Sequence, residues 1–151
     1  MATHPLLESL KKSPSRAAEH EAWTMEADGA EVGPIGIKAD SLRLRRSTPS
    51  KRNAKALGED VAERTKYLLE PLEVVESDEQ QAILRSRDPE VKEEGCDYYE
   101  MWVKPDEVSV ERYQGAVGKK RESRPVNMTW EQAERFVKDV DAVYDTLPEE
   151  G

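Results

Sequence analysis

CDYYEMWVKPDEVSVERYQG, residues 96–115, alternates bulky and polar side chains on either side of a turn-forming KPDE. Proline at the second position of a four-residue turn presets the backbone angle needed there, so KPDE reads as a tight reversal. The spacing predicts one strand over 96–104 and a second carrying Val108, Val110, Arg112 and Gln114 on one face. In the first strand, Tyr99, Met101 and Val103 share one face while Tyr98, Glu100 and Trp102 share the other. Bulk on both faces fits a central strand in a two-layer fold, or a strand that offers its second face to a partner.

Upstream, Leu72, Val74 and Val75 predict a strand, SDEQ a turn, and Ala82, Ile83 and Leu84 another strand. The polar run RSRDPEVKEEG connects this hairpin to the one above. Downstream lie a basic loop, GAVGKKRESRP, and a short strand at Val126–Met128. TWEQ then forms a capping box, in which Thr129 and Gln132 satisfy free backbone N–H groups. Trp130, Ala133, Phe136, Val137, Val140, Val143, Tyr144 and Leu147 follow at helical spacing, and Pro148 stops the pattern.

Before the meander, Ala54, Leu57, Val61, Thr65 and Leu68 predict a middle helix, which Gly58 weakens by about 1 kcal/mol relative to alanine. In SLRLRR, Leu42 and Leu44 alternate with Arg43 and Arg45, which suits an edge strand with one wet face. VGPIGIK is too rich in glycine and proline for a central strand. DG at 28–29 signals a turn, and Trp23 and Met25 alternate with polar neighbours. PSRAAEHEA, residues 14–22, reads as helical with Ser13 as its cap, and residues 3–12 as a short helix with an apolar face of Leu6, Leu7 and Leu10.

The predicted fold is α+β. An antiparallel meander of about four to six strands packs against the middle and C-terminal helices, because strands joined by short turns favour this class over a parallel sheet. Residues 1–35 are expected to form a partly helical or loosely ordered arm, 36–147 the domain and 148–151 an acidic tail. Composition agrees with a lean core: hydrophobic and charged residues each make up 36% of the 151 residues, against typical values of about 45–50% and 25%.

The formal charge of −9 favours solubility and works against adhesion to phosphates or anionic lipid. No apolar run approaches the roughly 18 residues of a membrane span. The N-terminus lacks the apolar stretch of a secretory signal, and a lone cysteine suits a reducing compartment, so the cytoplasm is the expected location.

Catalytic chemistry finds little material. Two histidines and one cysteine fall at no ligand spacing, so neither a metal site nor a cofactor is expected. Glu93, Glu94 and Asp97 surround Cys96 and would discourage its thiolate. No nucleophile-elbow, phosphate-loop or dinucleotide-binding pattern occurs, and the acidic residues lie in polar stretches rather than a desolvated pocket.

The leading expectation is therefore a non-enzymatic, protein-binding module of the adaptor, chaperone or inhibitor kind. Its candidate contacts are Leu6, Leu7, Leu10, Tyr98 and Trp102, and its partner another protein or a second copy of itself. An alternative is nucleic-acid binding through Arg43, Arg45, Arg46, Lys51, Arg52, Lys119, Lys120 and Arg121, against which the net charge weighs. An enzyme of unfamiliar type is the third expectation.

Overall fold

The structure, a computed structural model, describes residues 4–13, 15–66, 72–86, 96–115 and 120–146. In chain order, helix α1 (Pro5–Lys12) precedes strands β1 (Ala17–His20), β2 (Trp23–Asp28), β3 (Glu31–Val32), β4 (Gly36–Ala39) and β5 (Ser41–Arg46). Helix α2 (Ala54–Arg64) leads to β6 (Leu72–Ser77), β7 (Ala82–Ser86), β8 (Cys96–Lys104) and β9 (Glu107–Gly115). The last described elements are β10 (Glu122–Arg124), β11 (Val126–Thr129) and helix α3 (Trp130–Asp145).

The KPDE turn joins β8 to β9, with Val103 opposite Val108 and Met101 opposite Val110. Strands β6 to β9 are consecutive neighbours, which is the expected meander, and the sheet continues through β5 and β2 to β1. With β10 it has eight strands, all paired antiparallel. The fold is α+β. Strand β9 is shared along its length: its first half pairs with β5 and its second half with β10. Beyond these partners the chain changes sheet, from β4 to β5 and from β10 to β11, and a small second sheet forms in the order β11-β4-β3.

One face of the large sheet is the core. Met25, Leu42, Leu44, Leu84, Tyr99, Met101, Val103, Val108 and Val110 all point there and are at most 2% exposed. Helix α2, capped by Asn53, lies on this inner face, where a Cβ on Gly58 would stand 2.7 Å from that of Ala82. Close approach of helix to strand thus explains the glycine. In α3 the expected capping box is present. Its tail is held by strand β2: the Trp23 ring meets Tyr144 edge-on, and the Trp23 indole N–H donates to Asp141 at 2.8 Å. The Tyr144 hydroxyl donates to the Lys104 carbonyl and thereby anchors the KPDE turn.

Helix α1 belongs to the same core. Leu6, Leu7 and Leu10 are each 0% exposed, and full burial of such a side chain contributes about 1.5–3 kcal/mol. His4 Nδ1 accepts the Leu6 N–H at 3.1 Å and so caps this helix.

Four expectations are corrected. Residues 14–22 hold strand β1 rather than a helix: Ala18 pairs with Met25 and is buried, and Glu21 turns the hairpin with φ of 54°. Strand β5 is interior, not an edge, because β2 and β9 flank it. Strand β4, inside VGPIGIK, is the middle strand of the small sheet. Pro34 stays in the preceding bend, and Gly36 is needed because a Cβ there would meet the Met128 carbonyl at 2.1 Å. The basic loop contains strand β10. Leu68, Leu147 and the 148–151 tail lie outside the described residues.

Candidate functional site

Strand alternation sends every second residue of the large sheet to the face opposite the core. Across its middle this outer face carries Arg43 and Arg45 from β5, Glu107, Ser109, Glu111 and Tyr113 from β9, Tyr98, Glu100 and Trp102 from β8, and Ile83 and Arg85 from β7. Ser109 sits opposite Trp102, Glu111 opposite Glu100 and Tyr113 opposite Tyr98. The apolar sides of the described helices face the other way. Among the described residues, side chains alone roof this face, and Tyr98, Trp102 and Tyr113 remain half-buried.

Glu100 lies beneath them at 1% exposure. One carboxylate oxygen accepts the Trp102 indole N–H at 2.9 Å. The other accepts Arg85 Nη2 and Arg121 Nη1, both also at 2.9 Å. Burial pushes this carboxyl up, but the three donors and the Arg121 charge outweigh it, so its pKa lies below the ordinary value. The same guanidinium groups lie over aromatic rings, Arg85 5.5 Å from the Tyr98 centroid and Arg121 3.9 Å from that of Tyr113. Those two rings are themselves neighbours at 5.9 Å. Burial and a hydrogen bond donated to Glu111 push the Tyr113 phenol up to about 12, so it stays protonated near neutrality. Hydrogen bonds to Tyr98 and Glu100 raise Arg121 further and keep it cationic.

Tyr98 and Trp102 are therefore brought together with Arg121, which the sequence offered under a different chemistry. Glu100, Arg85 and Tyr113 were missed as site residues. The signal for Glu100 was present, since alternation set it between Tyr98 and Trp102, but nothing local named its cationic partners.

The other basic candidates have internal partners. Arg43 and Arg45 each reach both Glu26 and Glu107 at 3.1–3.5 Å. Helix α3 has no basic residue in its last turn. Arg46 and Arg52 instead donate to its Tyr144 and Val143 carbonyls at 2.6 and 3.0 Å, satisfying groups that a helix end leaves open. Arg46 also pairs with Asp145 and Arg52 with Asp60. Lys51 and Lys120 are exposed, and Lys119 lies outside the described residues. Leu6, Leu7 and Leu10 are enclosed in the chain's own core, so their face is not available as a free arm.

A shallow depression of about 660 Å³ lies by the small sheet, between Glu31–Lys38 and Asn127–Gln132, with Ile35 77% exposed beside it. Among the described residues no three or more metal-ligating side chains gather. Cys96 starts β8, and its side chain lies outside what is described. No described helix is long and apolar enough to cross a membrane. No family model, curated protein or solved structure matches the chain.

Proposed function

We propose that the chain is a non-enzymatic protein-binding module, of the adaptor, chaperone or inhibitor kind, whose docking surface is the outer face of the large sheet. One observation carries this. Tyr98, Trp102 and Tyr113 lie half-buried on adjacent strands with no described helix over them. Tyrosine, tryptophan and arginine dominate the energetic centres of protein interfaces, because they bring large contact area at little rotamer cost. The arginines here are held by Glu100 and by the rings, so little further ordering is needed on docking.

The partner is another protein, a second copy of this chain included. Nucleic-acid binding gains no comparable support, because Arg43, Arg45, Arg46 and Arg52 are neutralised by carboxylates of the chain itself. Affinity capture from the native host with the full chain, and with Tyr98→Ala and Trp102→Ala variants, tests the reading. Truncating a central aromatic of an interface costs about 2 kcal/mol or more, so each variant is expected to lose a partner that the parent retains. Equal retention by folded variants would refute it.

A further inference from the structure

We propose that the Arg85–Arg121 pair on the outer face recognises a carboxylate of an acidic peptide segment in the partner. The inference rests on the reading of this face as the docking surface and adds the chemistry of what docks. Each guanidinium gives one nitrogen to the same Glu100 oxygen, and 44% of each side chain stays exposed. A guanidinium carries five N–H donors and no acceptor, in a planar fork that matches a carboxylate. Glu100 thus orients both forks from below while itself hidden from solvent at 1% exposure. From outside, the pair presents donors.

The walls favour a planar anion too. Tyr98 and Tyr113 back the two guanidinium groups, and Trp102 is tied to the second Glu100 oxygen. Glu111 is the carboxylate directly across from Glu100, and it accepts the Tyr113 hydroxyl. Arg43 and Arg45 differ in kind. Each shares two carboxylates, Glu26 and Glu107, that are 31% and 21% exposed, so an incoming anion would meet negative charge there.

Isotope-labelled full chain, titrated at low salt with blocked hexaglutamate and separately with hexalysine, provides the test. The Trp102 indole N–H and the amides of Tyr98 and Tyr113 are expected to shift saturably with hexaglutamate only, and less as salt rises. Arg121→Lys keeps a cation for Glu100 but removes the fork, and is expected to weaken binding by about tenfold. Arg85→Gln/Arg121→Gln combined with Glu100→Gln leaves no buried charge unpaired and should abolish the shifts. Lys55→Gln on α2 should leave them unchanged.

No saturable shift with hexaglutamate, or the same shift in the triple variant, would overturn the proposal. A native partner that protects Tyr98 and Trp102 but docks without acidic residues would also overturn it, while leaving the docking face in place. A partner indifferent to Tyr98→Ala and Trp102→Ala would remove the docking face itself.

Discussion

A carboxylate at 1% exposure has lost most of its hydration, and Glu100 replaces that water with three donors. Because its folded pKa is lowered from 4.5, the ionised form stabilises the fold above that value. The contribution is lost as pH falls through the lower folded pKa. Glu100→Gln should therefore cost about 1–2 kcal/mol near neutrality, with the gap from the parent closing as pH falls below 4.5 through the lowered folded pKa. Urea unfolding across that range measures it, and a gap independent of pH would contradict the assignment. His4 titrates in a separate window: burial and His20 lower it below 6.5, and its neutral Nδ1 accepts the Leu6 N–H. Its stabilisation declines as pH falls below 6.5 in parent and variant alike, so it cancels from the difference. At this scale alternation alone set Glu100 on one face with Tyr98 and Trp102, without saying which face that is. It did not show Arg85 and Arg121, which arrive from 15 and 21 residues away.

Gly58 illustrates the element scale. Read along the chain, it weakens a helix. Read across the fold, it lets α2 approach β7, since a Cβ would come within 2.7 Å of Ala82 and 3.3 Å of Leu84. Gly58→Ala gains about 1 kcal/mol of helix propensity against about 1–3 kcal/mol of overpacking on a strand that cannot retreat. We expect a net loss of about 1 kcal/mol by thermal or urea unfolding. Adding Ala82→Gly should recover part of it, as coupling of about 0.5 kcal/mol or more in a double-mutant cycle. A stabilised single variant would contradict this packing account.

The elements that sequence exposed and those it hid differ in one respect. The meander and α3 carry local signals: strict alternation, Pro105 in its turn, the Thr129 capping box. Strand β1 carries none. AAEH is built of helix-compatible residues, and the hairpin turns at Glu21 in a left-handed conformation that glycine or asparagine would have announced. Pairing with β2 and burial of Ala18 decide it instead. Strand β5 looked like an edge because Arg43 and Arg45 alternate with leucines. Glu26 and Glu107 on the flanking strands supply the charges that make it an interior one.

The molecule as a whole is one-sided. Among the described residues, the helices bury their apolar side chains on one face of the eight-stranded sheet, and arginines and aromatic rings roof the other. Neither face of β8 was assigned by composition, because Tyr98 and Trp102 are as bulky as Tyr99 and Met101. The topology assigns them, since α2 can lie on only one side of the meander. Hydroxyl-radical footprinting of the chain, free and with its captured partner or at dimer-forming concentration, tests the docking face most directly. Tyr98, Trp102 and Tyr113 should be oxidised in the free chain and protected in the complex, with Trp23 and Tyr144 silent in both. Oxidation of Tyr98 and Trp102 at the same rate in the complex as in the free chain would contradict the account.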